Sequence, residues 1–269
     1  MSYEMLVLDL DGTLTNSEKK ITTATKAAIR KLQLMGKHIV LASGRPTHGI
    51  MPLAQELDME TYGGYILSFN GGQIINAKTQ EVIYNKFIPS EYIASIYNYA
   101  KSFDVNMVTY QNAQIISAFT PNKESEIEAK INGMPIIQVE NFLSYVDFPV
   151  NKLLITGNPD TLIQMEQELK AKLHSSLNIF RSEPFFLEIM PQKIDKAHSL
   201  HRLLSSIGLT ANEMICCGDG FNDLTMIEYA GLGVAMANAQ PAVLDKADYI
   251  TTSNDEDGVL HVIEQFMLQ

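Results

Sequence analysis

The stretch Met5-Leu6-Val7-Leu8-Asp9-Leu10-Asp11-Gly12-Thr13 decides the fold of this chain. Its first six residues form a near-continuous aliphatic run, which is typical of a strand buried on both faces in a parallel sheet. Two acids then stand two residues apart, so their side chains share a face, and Gly12 lets the chain turn away tightly. An acid inside an aliphatic strand costs free energy unless a metal or hydrogen bonds compensate it. Asp9 is therefore better explained by a functional role than by a structural one, whereas Asp11 would also suit a turn.

Outward from this stretch, short aliphatic runs alternate with helical patterns at both ends of the chain. Elements of this kind are predicted at residues 22–35, 38–42, 46–57 and 65–69, and again at 196–206, 213–217, 222–229 and 231–235. Strand, helix and strand in alternation predict right-handed βαβ units. The fold class is therefore α/β, with a doubly wound parallel sheet built from both ends of the chain.

Between the two ends the pattern changes. Strand-like stretches at 106–110, 114–119, 152–156 and 185–190 mix with helical patterns at 89–101, 123–131 and 159–173. Several of these strands lie only a turn apart, which favours antiparallel pairing and an α+β arrangement. We therefore predict a core formed by residues 1–83 and 189–269, with an α+β domain inserted at 84–188.

Composition excludes several classes of protein. The chain has 269 residues, of which 46% are hydrophobic, so it can bury a substantial core. Its formal net charge of −11 argues against a general nucleic-acid binder. No run approaches the roughly 18 apolar residues that span a bilayer, and the first residues do not resemble a signal peptide, so we expect a cytoplasmic protein without a membrane partner. An anionic ligand would need local compensation, for which a divalent metal is the obvious candidate.

Clusters of polar residues follow several of the predicted strands, at the sheet edge where open parallel sheets bind ligands. After the second strand, the hydroxyl and backbone amides of Ser43-Gly44-Arg45 could hold a phosphate oxygen, although a simple capping turn would look the same. Lys196 stands at a helix start, where a lysine opposes the helix dipole but can bind an anion. Lys193 is its competitor for that role.

The last of these clusters is Gly218-Asp219-Gly220-Phe221-Asn222-Asp223, which follows the apolar strand at 213–217. Carboxylates and an amide around glycines suit Mg²⁺, which prefers a few carboxylates together with water and substrate oxygens. A calcium loop is the alternative, but the hydrophobic stretch 224–227 breaks its ligand pattern. Cys216 and Cys217 are adjacent on the strand before this cluster and are expected to be buried free thiols.

Together these residues resemble the four motifs of the haloacid dehalogenase superfamily of phosphatases. The matching residues are Asp9-Leu10-Asp11-Gly12-Thr13, Ser43, Lys196, Gly218-Asp219-Gly220 and Asn222-Asp223. Further likeness to the Cof-type subfamily lies in the segments 233–239, 247–248 and 257–259. That subfamily has a cap domain inserted between its second and third motifs, which agrees with the insertion predicted at 84–188.

The resemblance implies a role for each matching residue. Asp9 would be the nucleophile that forms an aspartyl-phosphate, and Asp11 the general acid and base. The residues implied as holders of Mg²⁺ are Asp9, Asp11 through its backbone carbonyl, Asp219 and Asp223. The residues implied as binders of the phosphoryl oxygens are Leu10, Ser43, Gly44, Lys196 and Asn222. The inserted domain would act as a cap, and substrate choice would reside in this cap and in its junctions around Asn70-Gly71-Gly72 and Met190-Pro191.

The expected activity is Mg²⁺-dependent hydrolysis of a small phosphorylated metabolite, with a sugar phosphate as first choice. A phosphoryl transferase or mutase with the same aspartyl-phosphate is the nearest alternative, and release of inorganic phosphate without an acceptor separates the two. A non-catalytic phosphometabolite sensor is a further alternative, but sensing does not require both a nucleophile and an acid/base. We expect a monomer or a weak homo-oligomer.

Overall fold

The computed structural model describes residues 3–268 and divides into two compact units. The first unit is built from both ends of the described chain, residues 3–84 and 195–268. The second unit is the intervening Asn85–Ile194. It ends later than the predicted residue 188, because the last strand of its sheet continues through Pro191. Among the described residues, no helix is both long enough and apolar enough to cross a membrane.

The strands in chain order are β1 (Met5–Leu8), β2 (His38–Ala42), β3 (Tyr65–Ser68), β4 (Gln73–Asn76), β5 (Val82–Asn85), β6 (Val105–Gln111), β7 (Gln114–Ser117), β8 (Ile136–Gln138), β9 (Leu153–Gly157), β10 (Leu177–Glu183), β11 (Phe186–Pro191), β12 (Met214–Gly218), β13 (Leu232–Ala235) and β14 (Tyr249–Ile250). The helices are α1 (Thr23–Leu34), α2 (Thr47–Glu56), α3 (Met59–Tyr62), α4 (Ser90–Ala100), α5 (Lys123–Asn132), α6 (Phe142–Tyr145), α7 (Pro159–Leu173), α8 (Lys196–Ile207), α9 (Leu224–Tyr229), α10 (Pro241–Leu244) and α11 (Gly258–Phe266). Short 3-10 turns lie at Phe69–Gly71, Ala211–Glu213, Phe221–Asp223 and Asn254–Glu256.

The larger sheet has β1 near its centre. Among residues 3–268 its strand order is β14-β13-β12-β1-β2-β3-β4-β5. The strands from β14 to β3 run parallel, and β4 pairs antiparallel with β3. The parallel α/β core predicted from the sequence is therefore confirmed, with an antiparallel edge that the sequence did not predict.

Helices cover both faces of this sheet. Side chains of β1 alternate between the faces: Leu6 and Leu8 pack with residues of α1, α2 and α11, whereas Met5 and Val7 pack with α8 and α9. Burial on both sides explains the continuous aliphatic run, since each fully buried aliphatic side chain contributes about 1.5–3 kcal/mol. Cys216 and Cys217 point to opposite faces and are both free, as predicted.

The second unit contains its own sheet, in the order β10-β11-β9-β6-β7-β8 among the described residues. Its neighbouring strands are antiparallel except for β7 and β8, which are parallel. One face packs on α4 and α7 around a separate hydrophobic core. The unit therefore has the α+β character predicted for the insertion.

Candidate active site

The polar clusters of the first unit meet because their strands are neighbours. Leu8, the last residue of β1, is in register with Leu41 on one side and Cys217 on the other. Asp9 begins the turn directly after Leu8, so β1 is shorter than the predicted run through Leu10. Ser43 directly follows β2, and the loop that carries Asp219 directly follows β12. The residues after three adjacent parallel strands therefore share one edge of the sheet.

Lys196 lies between two carboxylates of this edge. Its Nζ donates to Oδ1 of Asp9 at 2.6 Å and to Oδ1 of Asp223 at 2.5 Å. The side chain is fully buried. Burial by itself would lower the pKa of Lys196, but the charges of Asp223 and Asp9 outweigh it and raise that pKa. Lys196 is therefore an ammonium ion at neutral pH, whereas its competitor Lys193 is exposed.

Asp223 organises the loop after β12. Its Oδ2 accepts from the backbone N–H groups of Asp219 at 3.0 Å and of Gly220 at 2.9 Å. A Cβ at Gly218 would collide with the Asp223 side chain, so the close approach requires glycine there. Asp223 thus joins the lysine ammonium to the backbone of the loop that presents Asp219.

Asp219 lies against the turn that follows Asp9. Its Oδ1 accepts from Oγ1 of Thr13 at 2.8 Å. Gly12 has a φ of +82°, and a Cβ there would collide with the Asp219 carboxylate. Glycine at position 12 therefore serves both the left-handed turn and the approach of the two loops.

Three carboxylates lie close together at this edge of the sheet. One carboxylate oxygen from each of Asp9, Asp219 and Asp223 lies within 4.8 Å of the other two. Burial raises the pKa of Asp9 well above its ordinary value, the charges of Asp223 and Asp219 raise it further, and Lys196 opposes them. Burial also raises the pKa of Asp219 to about 6. Three carboxylates facing one ammonium are an oxygen donor set with uncompensated charge, which fits a divalent cation such as Mg²⁺.

The Asp11 carboxylate lies outside that group. Arg45 binds it with both branches, from Nε to Oδ2 at 2.7 Å and from Nη2 to Oδ1 at 2.6 Å. Nζ of Lys19 adds a third contact at 2.8 Å. Burial acts to raise the pKa of Asp11, but the hydrogen bonds and charges of Arg45 and Lys19 prevail and lower it. Among the metal-binding residues implied by the resemblance, Asp11 could contribute only its backbone carbonyl in this arrangement.

The residues expected to bind phosphate lie around the same edge. Ser43 is buried, and its Oγ accepts from the N–H of Arg45 at 3.2 Å. Leu10 is fully buried, and its carbonyl accepts from the backbone and hydroxyl of Thr15. Nδ2 of Asn222 donates to Oδ1 of Asn70 at 3.0 Å.

The structure gives Lys19, Arg45 and Asn70 contacts that the sequence does not predict. For Arg45 the sequence suggests a role only for the backbone amide, whereas the structure places its guanidinium against Asp11. Lys19 follows no strand-end acid, and the sequence places Asn70 only at a junction with the inserted domain. Only the fold places them beside Asp11 and Asn222.

Comparison with known proteins identifies the family of this chain. A family model of haloacid dehalogenase-like hydrolases matches residues 6–263. YxeH of Bacillus subtilis is 31% identical over 99% of both chains. The crystal structure of a haloacid dehalogenase-like hydrolase from Bacteroides thetaiotaomicron has a TM-score of 0.95 and 48% identity, covering 98% of this chain and 99% of that chain. The subclass IIB sugar phosphatase BT4131 has a TM-score of 0.81 and 26% identity, with 98% of both chains covered.

The matched region contains all four motif clusters and nearly the whole described chain. The resemblance seen in the motifs is therefore confirmed, and the protein is an enzyme of the Cof-type group whose solved relatives include a sugar phosphatase. This chain belongs to the haloacid dehalogenase-like hydrolases.

Proposed function

We propose that this protein hydrolyses a small phosphorylated metabolite, with Asp9 as the nucleophile. The observation that carries the proposal is the fully buried ammonium of Lys196, which contacts Asp9 and Asp223 while Asp219 lies within 4.8 Å of both. A purely structural ion pair would balance its charges, because an unpaired buried carboxylate is costly. An excess of carboxylates around a sheet-edge nucleophile is instead suited to bind a cation together with an anionic substrate.

In the first half-reaction, a carboxylate oxygen of Asp9 attacks the phosphorus of a phosphate monoester. The new bond joins Asp9 to phosphorus, and the bond from phosphorus to the ester oxygen breaks. Lys196, the amides of Leu10 and Gly44, Ser43 and Asn222 hold the phosphoryl oxygens as charge redistributes. The product is an acyl phosphate on Asp9 and a departed alcohol.

Asp11 handles the protons of both half-reactions. It gives a proton to the departing alcohol oxygen and then takes one from the water that attacks the acyl phosphate. That attack breaks the bond from phosphorus to Asp9, so inorganic phosphate leaves and the Asp9 carboxylate is regenerated. The lowered pKa of Asp11 suits the second role as the structure stands. To protonate the departing alcohol, Asp11 must itself carry a proton, and this requires its carboxyl group to break the hydrogen bonds from Arg45 and Lys19.

The cation that we assign to this site is Mg²⁺. Asp9, Asp219 and the backbone carbonyl of Asp11 would hold it, with Asp223 steadying its water ligands. The Asp9 carboxylate and the phosphate dianion are both negative and repel each other. Bound between these groups, the cation would screen that repulsion.

Removal of divalent cations is expected to abolish turnover. Treatment with EDTA should reduce phosphate release from an aryl phosphate to the background rate, and excess Mg²⁺ should restore it. Because a ligand that binds only the folded state stabilises it, Mg²⁺ should also raise the melting temperature of wild type. Asp219→Asn, which removes one carboxylate of the group, should show a smaller rise. Unchanged turnover in EDTA would exclude the metal role.

Replacement of Asp11 with Asn is expected to slow steady-state turnover by roughly 10²- to 10⁴-fold, the usual contribution of general acid–base catalysis. An aryl phosphate has a leaving group that needs little protonation. It should therefore give a rapid burst of the phenol followed by slow turnover, because only the second half-reaction still needs Asp11. Stopped-flow absorbance measures both phases. A variant that turns over as fast as wild type would remove Asp11 from the mechanism.

We further propose a sugar phosphate, or a phosphorylated metabolite of similar size, as the substrate. The name of BT4131, a sugar phosphatase that matches this chain over 98% of its length, supports this class. The net charge of −11 disfavours extended polyanions. A screen of phosphorylated sugars, polyols and nucleotides for release of inorganic phosphate tests the assignment, and transfer of phosphate only to an added acceptor would instead show a transferase.

A further inference from the structure

A turn outside the four motif clusters contacts two of them and the helix that carries a third. This turn, Phe69–Gly71, directly follows β3. The N–H of Asn70 donates to the carbonyl of Ser43 at 2.9 Å, and Nδ2 of Asn222 donates to Oδ1 of Asn70 at 3.0 Å. Oγ of Ser199, one turn into the helix that begins with Lys196, donates to the carbonyl of Gly71 at 2.7 Å. The 69–71 turn therefore links the phosphate-binding loop after β2, the lysine helix and the loop after β12.

The backbone of this turn is unusual. Phe69, Asn70 and Gly71 are consecutive residues with φ values of +52°, +52° and +97°. Left-handed conformations are costly for residues other than glycine and persist where the surroundings hold them in place. Such strain is found preferentially at functional sites, and here it lies against the groups that we assign to phosphate binding.

Close packing ties Asn70 to the phosphate-binding loop. A Cβ built on Gly44 would lie 3.1 Å from Oδ1 and 3.3 Å from Nδ2 of Asn70. The Asn70 side chain is buried. Its amide thus lies between Gly44 and Asn222, two residues to which we assign phosphoryl oxygens, although they come from strands on opposite sides of β1.

The hydrogen bond from Asn222 to Asn70 selects one orientation of the Asn222 amide. An amide has a donor end and an acceptor end, and only the donor end attracts a phosphoryl oxygen. Because Oδ1 of Asn70 takes one hydrogen of Asn222 Nδ2, the amide cannot rotate by half a turn without losing that bond. The second hydrogen of Nδ2 is the donor that we assign to phosphate.

We propose that Asn70 is a positioning residue for phosphate binding, which orients the Asn222 amide and holds it in register with the Ser43–Gly44 loop. The inference rests on the proposed phosphatase function for its place in the reaction. The positioning role itself predicts how tightly the protein binds inorganic phosphate, and that affinity can be measured without turnover.

The test uses Asn70→Gly, because glycine accepts the positive φ and removes only the side chain. Calorimetry with inorganic phosphate in the presence of Mg²⁺ should show affinity roughly tenfold below wild type, the scale of one hydrogen bond to a charged group. In steady-state kinetics, the KM of Asn70→Gly for an aryl phosphate should rise by a similar factor. Asn112→Gly is the matched control, since Asn112 has a φ of +53° in the exposed turn between β6 and β7. This control should bind phosphate as wild type does.

A double-mutant cycle separates positioning from a general structural effect. If Asn70 acts through Asn222, then Asn70→Gly combined with Asn222→Ala should bind phosphate no more weakly than Asn222→Ala alone. Unchanged phosphate affinity in Asn70→Gly, or effects of the two substitutions that multiply, would overturn the inference. Should Asn70→Gly be too unstable, Asn70→Ala removes the same acceptor and takes its place in the cycle, with Asn112→Ala as its matched control. A wild-type protein that binds phosphate but hydrolyses no ester would instead contradict only the proposed function.

Discussion

Asp9→Asn is expected to lower phosphate release by at least about four orders of magnitude, as loss of a nucleophile does in other enzymes with covalent intermediates. The amide keeps the shape of the side chain but cannot attack phosphorus. Since Asp9 is buried and its pKa is raised by burial and by Asp223, an uncharged residue should not unfold the protein. Turnover of an aryl phosphate in Mg²⁺ measures the effect.

A matched control for this substitution is Asp160→Asn, which makes the same chemical change at an exposed position of α7 in the second unit. It should leave turnover as in wild type. Retention of more than a small fraction of activity by Asp9→Asn, in protein shown to be folded by its thermal transition, would mean that another group is the nucleophile.

Lys196→Met is expected to cost both activity and stability. The substitution removes the ammonium group that donates hydrogen bonds to Asp9 and Asp223. Both buried carboxylates then lose that ion-pair partner. Breaking a buried ion pair by removing one partner costs about 3–5 kcal/mol. The free energy of unfolding in EDTA, from urea titration, should fall by about that amount. Turnover should fall as well, because Lys196 also binds the phosphoryl group.

Lys193→Met separates the two lysines that the sequence left in competition. Lys193 is exposed, so its replacement should change the free energy of unfolding by less than about 0.5 kcal/mol. Mg²⁺ should restore part of the stability lost in Lys196→Met, because the cation compensates the same carboxylates. Equal stability of Lys196→Met and wild type in EDTA would contradict the charge balance described for the site.

Much of the fold could be predicted because its signals are local. The aliphatic run of β1 and the helix that starts at Lys196 are visible in the sequence, since burial on both faces and helical spacing each leave a pattern. The hairpin strands β4 and β5 were missed because they are not continuously buried as β1 and β3 are, with no fully buried side chain in β5, and because a polar turn joins them. Strand β10 was missed because its buried side chains alternate with partly buried ones only in its first half, while its last two residues are exposed.

Part of the candidate site could also be predicted from local signals, and part could not. Asp9, Asp219 and Asp223 could be predicted to approach one another because each follows a strand of the same parallel sheet. The two hydrogen bonds from Arg45 to Asp11 could not be predicted, because an arginine after a Ser-Gly turn can point in many directions. The contact between Asn222 and Asn70 could not be predicted either, since the two side chains are 152 residues apart in the chain.

The phosphoryl group on Asp9 is the most direct evidence for or against this account. Wild type and Asp11→Asn are mixed with an aryl phosphate in Mg²⁺, quenched in acid within the burst, digested and mapped by mass spectrometry. The account predicts a phosphorylated peptide that contains Asp9, more abundant in Asp11→Asn because hydrolysis of the intermediate is slowed. A burst of released phenol without phosphate on that peptide, or with phosphate on another residue, would contradict it.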